Sequence, residues 1–350
     1  MISNQKSGDS STNLQAGKNI VLNQNGTIAL YSIEEVSKQL MNSVFGELPA
    51  DTKKQIESNQ KSYFCTLTEN LGKLIKQGED LKKVISSPDF QFISKTAAIT
   101  ASRSSSLELH KNLSSLITQR INNDDKDLKK IVYDEAISTI GKLTVDQLKI
   151  ITLSYLLKHT SYSGIRSWET YIKYFETHIK PFIDFNHTMA AFQHIEYTGC
   201  GSVGISSWDL VAIHRQEYAF LFLNLVEKEQ IDNLNLPLEI KKEIITLDLK
   251  EDKFMIRVKN ESDLETYLKR KKIDVEIIKK LTVIYRNHIK NNEEIKKKIT
   301  TETSIGKKIL DLWDKTDISH LSLTSVGIAI AASYFEQLVG EKIDIDIWIN

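Results

Sequence analysis

A change of pattern near residue 32 constrains this chain more than any other feature. Before it, Ser10-Ser11-Thr12-Asn13-Leu14-Gln15-Ala16-Gly17-Lys18-Asn19-Ile20-Val21-Leu22 and then Thr27-Ile28-Ala29-Leu30 set short apolar bursts among Asn, Gln and Gly, which suits strands. After it, apolar residues return at helical spacing. The arm of residues 1–31 holds too little apolar surface to offset its own conformational entropy, so it needs a partner. That partner is either the body of its own chain or the same arm on other copies. Leu14, Gln15, Gly17, Ile20, Val21, Leu22, Ile28 and Leu30 are the residues expected to mediate self-association, by pairing edge to edge.

Only four prolines occur in 350 residues, and the stretch from 33 to 225 reads as successive helices broken by Gly, Ser and Asn-Asp turns. Ser32 caps the first, with Val36, Leu40 and Val44 on one face. Asp51 opens a longer helix toward Gly78, in which Cys65, among Phe64, Leu67 and Leu71, is expected in the core. Ser87-Pro88-Asp89 starts another, whose buried face begins at Phe92 and Ile93. After a polar break at 102–106, Leu107, Leu113, Leu116 and Ile117 resume the spacing, and a second break follows at 122–125. Residues 128–140 then lead through Gly141 and a Thr144 cap into Leu148, Ile151, Leu153, Leu156 and Leu157.

The length suits two domains plus the arm. Residues 232–237 form the expected boundary, which gives an arm at 1–31, a helical domain at 32–231 and a C-terminal α/β domain at 232–350. In the last, a strand at 254–258 precedes helices at 262–271, 275–290 and 293–300. Leu321-Ser322-Leu323 alternates as a strand, Thr324 caps a helix through Leu338, and Gly340 closes it. Ile343, Ile345, Ile347 and Ile349 alternate with Asp344, Asp346, Trp348 and Asn350, so a terminal strand is expected, paired with 318–323. The expected fold is mainly α: a β-arm, a helical bundle and a small winged-helix-like α/β unit.

Lys plus Arg equals Asp plus Glu at 46 each, so no global charge draws the chain to nucleic acid or an anionic membrane. Residues 241–308 nevertheless hold 19 basic against 12 acidic side chains. Lys269, Arg270, Lys271, Lys272, Lys279 and Lys280 are the candidate nucleic-acid contacts, but a solvated helical face is the favoured reading because stacking aromatics are sparse there. No apolar run reaches a membrane span, and the first residues lack a basic segment followed by an apolar one, so a soluble chain with no membrane partner is expected. Cys65 and Cys200 lie far apart and form no disulfide framework, which fits a reducing cytoplasm.

The remaining oddity is Glu196-Tyr197-Thr198-Gly199-Cys200-Gly201-Ser202-Val203-Gly204-Ile205. Gly199, Gly201, Ser202 and Gly204 could form an anion-binding nest. Cys200 with His194, His214 or His187 could serve as an acyl-transfer nucleophile or as a metal ligand. No acid is placed to orient a base and the spacing matches no zinc pattern, so a structural turn around a small buried Cys competes with both. No metal and no cofactor are expected. Nucleotide signatures are absent, and Ser304-Ile305-Gly306-Lys307-Lys308 lacks the phosphate-loop pattern.

Taken together, the arm sequence 11–17, the segment 196–202, and Leu323-Thr324-Ser325-Val326-Gly327-Ile328-Ala329-Ile330-Ala331 with terminal Ile347-Trp348-Ile349 resemble a bacterial family designated only by locus tags. The resemblance covers nearly the whole chain and carries over no catalytic residue. The Leu-Thr-x-x-Gly turn entering a helix is also similar to the C-terminal end of abortive-infection alpha-type proteins, which implies a phage-defence setting. Asn13 to Ile20 is similar to the Gln-x-Gly cores of bacterial amyloid-like signalling motifs, which join chains by stacking strands. The expected function is a homo-oligomeric interaction or assembly protein of the bacterial cytoplasm, in phage defence or stress response. The alternatives are a Cys/His hydrolase or transferase using Cys200 and a nucleic-acid-binding module built on the basic helices of 241–308.

Overall fold

The computed structural model describes residues 48–76, 84, 87–121 and 128–349. The arm at 1–31 with its self-association residues, the helix expected after Ser32 and the break at 122–125 lie outside the described residues. Helices α1 (Ala50–Lys76), α2 (Pro88–Ser102), α3 (Leu107–Arg120) and α4 (Leu128–Ile140) come first. Next are α5 (Val145–Lys158), α6 (Trp168–Tyr174), α7 (Met189–Tyr197), strand β1 (Gly201–Val203) and α8 (Leu210–Glu217). They are followed by α9 (Lys228–Asp232), α10 (Leu238–Ile244), strands β2 (Ile245–Asp248) and β3 (Lys253–Ile256), and α11 (Glu261–Arg270). Helices α12 (Val275–His288), α13 (Asn292–Glu302) and α14 (Gly306–Lys315), strand β4 (Leu321–Leu323), α15 (Ser325–Val339) and a terminal turn, α16 (Asp346–Ile349), complete the order. The described residues are thus mainly helical, and none of their helices is long and apolar enough to cross a membrane.

The helix ends obey local chemistry. Ser87 and Ser106 accept hydrogen bonds from the amides of Phe90 and Leu109, and Pro88 occupies a first-turn position that has no amide to satisfy. Thr144 and Gln147 cap α5 reciprocally: the Gln147 amide donates to Thr144 Oγ1 at 3.2 Å and the Thr144 amide to Gln147 Oε1 at 3.0 Å. Gly340 ends α15 at φ +83°, a left-handed conformation that favours glycine.

By their contacts the described residues form two compact units, each assembled from separated segments of chain. The first comprises residues up to Thr152, Ala190–Ser202 and Leu323 onward; the second comprises Leu153–Met189 and Val203–Ser322. This grouping differs from the linear division into 32–231 and 232–350, because α15 packs on α3 and α4 rather than on the helices that precede it in sequence.

In the first unit α1 to α4 and α15 pack as a bundle around Leu113, Leu116, Ile117, Ala136, Ile137 and Ile330. Buried polar ties fix how the helices meet. Gln60 Nε2 donates to Ser102 Oγ at 2.9 Å, Asn59 Nδ2 to the Ser102 carbonyl at 3.0 Å, and the His110 ring bridges Ser62 Oγ to the carbonyls of Ala101 and Ser104. The Arg120 guanidinium, 2% exposed, binds the partly exposed Asp89 and Asp134, and Lys130 binds Asp89 as well. Its partners hold the Arg120 pKa above the ordinary value even though burial, the largest single influence, pulls it down.

In the second unit the hairpin β2–β3 pairs antiparallel from Ile245↔Ile256 to Asp248↔Lys253, with Asp248 Oδ1 accepting the amides of Lys250 and Glu251 to make the turn. Val226 joins Phe254 by two backbone bonds of 2.7 and 2.8 Å. Helices α11 and α12 pack on each other, and Leu264, Leu268, Leu281 and Tyr285 share a core with Val226, Ile245 and Ile256.

Three expectations are corrected. The terminal strand is instead the turn α16: Asp344 Oδ1 accepts the Asp346 amide at 3.0 Å and starts a helical turn, which buries Ile345 and Ile349 four residues apart and leaves Ile347 80% exposed. β4 accordingly pairs with β1 and not with the C-terminus. Cys65 is exposed, because the buried stripe of α1 runs through Ile56, Gln60, Tyr63, Leu67 and Leu71 and leaves it on the outer side. Phe92 likewise points outward, while Phe90, Ile93 and Ala97 carry the buried face of α2.

Replacing Arg120 by Ala is expected to lower unfolding free energy by about 1 to 2 kcal/mol, since it empties a buried side-chain site and removes the cation shared by the partly exposed carboxylates of Asp89 and Asp134. Urea denaturation of the full chain, with an Asp134→Asn variant showing a smaller loss, checks this.

Candidate functional site

The Cys200 loop is built from the end of α7. Gly199 adopts φ +74°, its amide donates to the Glu196 carbonyl at 2.9 Å, and the Cys200 amide donates to Ile195 at 3.1 Å. This pair of bonds is the helix-ending arrangement that glycine favours. The loop's carbonyls then engage the start of α15, within the same unit. Thr324 donates its amide to the Cys200 carbonyl at 3.1 Å and its hydroxyl to the Gly199 carbonyl at 2.6 Å. The same hydroxyl oxygen accepts the Gly327 amide at 3.2 Å and so caps α15. Gly327 lies directly against the loop, where a Cβ would stand 1.9 Å from the Cys200 carbonyl oxygen. The two segments that stood out in the sequence are therefore halves of one clasp.

The Cys200 thiol is fully buried, and burial pushes its pKa above the ordinary value against weaker opposition from a Thr198 hydrogen bond and the Lys142 charge. Such a thiol stays protonated near neutrality and is a poor nucleophile. His194 does not address it: its Nδ1 lies 3.0 Å from Gln147 Nε2 and its ring stacks on Tyr197. His187 and His214 belong to the second unit, whereas Cys200 and His194 belong to the first. His187 precedes α7 instead of sharing a helical face with His194. Among the described residues no hydrogen bond joins Cys200 to a histidine, and no group of three or more His, Cys, Asp or Glu is placed to hold a metal ion.

Several of the loop's amides are occupied as well. Those of Gly199 and Cys200 close α7, Gly201 and Ser202 lie in β1, and the Gly204 amide donates to the His320 carbonyl at 3.0 Å. Two of the four candidate positions, Gly199 and Gly204, thus have amides bonded within the fold.

The basic helices show a similar economy of charge. Lys269 pairs with Glu265, Lys271 with Glu243 and Lys279 with Glu276, and Arg270 lies over the Tyr267 ring. Lys272 holds φ +58° at the turn after α11, and Lys280 is exposed on α12. Three of the six thus have a carboxylate partner, and Arg270, Lys272 and Lys280 have no ion pair among the described residues.

One cluster escaped the sequence reading. Tyr171, Tyr174, Phe175 and His178 recur at spacings of three and four through α6 and a π-helical turn at Phe175–Ile179, and they gather with Trp168, His214, Tyr218 and Phe222. The periodicity was the available signal. At the centre the Tyr171 hydroxyl and His214 Nδ1 meet at 2.7 Å, both buried. Burial lowers the His214 pKa from 6.5 to about 4, so the ring is neutral at pH 7.

A family model whose description is a locus tag ending in "-like" matches residues 28–349. No curated protein and no solved structure matches the chain.

Iodoacetamide is expected to alkylate Cys65 and spare Cys200 in the folded protein. Gly327→Ala, which cannot keep the clasp closed, should expose both thiols; peptide mass mapping reads the two sites. For His214 the sign is set by its lowered folded pKa: the unfolded ring takes a proton near 6.5 and the folded one only near 4, so stability is complete above pH 6.5 and falls as pH drops toward 4. Between pH 7 and 4.5 the wild type should lose about 2 to 3 kcal/mol more than His214→Gln in urea denaturation.

Proposed function

The chain belongs to this locus-tag family, and we propose that it works as a homo-oligomeric interaction protein of the bacterial cytoplasm, in phage defence, without chemistry of its own. The observation that carries the reading is apolar surface on elements that pack together. Phe92 on α2 is 73% exposed, Leu128 and Ile131 on α4 are 55% and 52% exposed, and Ile347 on α16 is 80% exposed. Helix α4 packs on both α2 and α16, and the Lys129–Asp346 ion pair fixes the second contact. Large apolar side chains held outward on a bundle suit burial against a second copy of the chain.

The arm supplies the other half. Its bursts at 14, 20–22, 28 and 30 are strand-forming and too small for a core of their own, and edge pairing between copies meets that need. The clasp that encloses Cys200 supports the non-enzymatic reading, since a thiol with raised pKa and no histidine partner is poorly suited to attack. The Leu-Thr-x-x-Gly turn, similar to the C-terminal end of abortive-infection alpha-type proteins, is what supports the defence setting of this proposal.

Light scattering of the full chain should give a multiple of the 40.0 kDa protomer mass, reduced in full-length Ile20→Asp/Leu22→Asp and in Phe92→Asp/Ile131→Asp. Phage challenge should lose protection with the same variants and keep it with Cys200→Ala. Monomer mass in the wild type, or protection lost only with Cys200→Ala, would overturn the reading.

A further inference from the structure

We infer that the second unit carries a binding site for a small phosphate-bearing molecule, in the cleft at the start of α14. His187, Ser304, Lys307, Lys308, Asp311 and Lys315 line a cavity of about 350 Å3, within the range of small-molecule sites. The inference is independent of self-association and needs no contribution from Cys200.

The fold creates the cleft by pressing α14 against the end of α13. Gly306 is the point of contact, where a Cβ would lie 2.2 Å from the Ile299 carbonyl oxygen and 2.3 Å from Thr303 Oγ1. Helix α14 begins at Ile305 with no capping side chain, and the Gly306 amide reaches only the Thr303 carbonyl at 3.4 Å. Its first-turn amides thus remain available beside Lys307 and Lys308, both exposed. The sequence Ser304-Ile305-Gly306-Lys307-Lys308 lacks the phosphate-loop pattern, yet the tertiary structure joins it to His187 and Lys315 in one cavity.

The charges favour a compact anion. Lys307 has no ion-pair partner among the described residues, while Lys308 pairs with Asp184 and Lys315 with Asp311. Those two pairs are exposed and contribute little in water, so a phosphate can take their ammonium groups at small cost. Charge-assisted bonds to phosphate oxygens are the stronger alternative. The Asp311 carboxyl sits below the usual carboxylate range because of Lys315 first, with Lys307 and Lys296 adding to the field. Leu312 and the His187 ring, set edge-on to Phe185 at 6.2 Å, offer contact for an organic group. Asp184 and Asp311 stand at the cleft, and Glu176 accepts the Ser304 hydroxyl hydrogen bond. A cavity of this size takes a phosphomonoester or pyrophosphate group rather than a nucleic-acid strand.

Isothermal titration of the full chain with inorganic pyrophosphate at fixed ionic strength tests the site. Saturable binding is expected, weakened about tenfold or more in Lys307→Ala/Lys308→Ala and within about twofold of wild type in Lys279→Ala/Lys280→Ala. Both replaced pairs are exposed, and circular dichroism confirms that each variant is folded. Absence of saturable heat, or equal weakening in the two variants, would overturn the proposal. So would a single-stranded oligonucleotide that binds more tightly than pyrophosphate and depends equally on Lys307.

Discussion

The first unit depends on one close approach, the Gly327 backbone against the Cys200 carbonyl. It joins two segments more than a hundred residues apart in sequence, and it works only because Gly327 lacks a side chain and Gly199 takes a left-handed turn. Thr324 ties the approach from three sides, through its amide, its hydroxyl proton and its hydroxyl oxygen. With the start of α15 fixed in this way, the helix lies against α3 and α4, where Ser333 reaches Asn112 and Glu336 reaches Gln119.

The two units solve the problem of a specific interior differently. The first places polar ties inside an aliphatic bundle: Gln60 with Ser102, His110 with Ser62, and Arg120 between Asp89 and Asp134. Each tie adds modest stability but is costly to break, so it disfavours alternative helix registers. The second unit uses rings, with Tyr171 in contact with Trp168, Phe175, His214, Tyr218 and Phe222, where packing geometry itself is selective. Its charged surface carries local ion pairs, among them Lys269–Glu265, Lys271–Glu243, Lys279–Glu276 and Lys308–Asp184.

Cys200 and Gly199 are used by the clasp, where their carbonyls accept from Thr324 and their amides close α7. What is left for partners is surface: outward apolar side chains on α2, α4 and α16, and the lysine cleft at α14. Both features lie on helices rather than on the segments that looked chemically distinctive.

Much of the local structure was legible in the sequence. Ser87-Pro88, Thr144 and Thr324 announce helix starts and Gly340 a helix end, because caps satisfy backbone groups within a few residues of themselves. Cys65 and Phe92 were misplaced because neighbours in sequence do not share a helical face, and the terminal isoleucines misled because alternation fits a strand until Asp344 turns the backbone. The sequence by itself determined a mainly helical chain, several of its helix ends and the oddity of the segment 196–204. Only the tertiary structure decided that this segment closes on Gly327, that each unit draws on separated stretches of chain, and that His187, Lys307 and Lys315 line one cavity. Local patterns record backbone bonding and side-chain periodicity, whereas long-range placement depends on which surfaces find complementary shape and partners, and no short-range spacing encodes that.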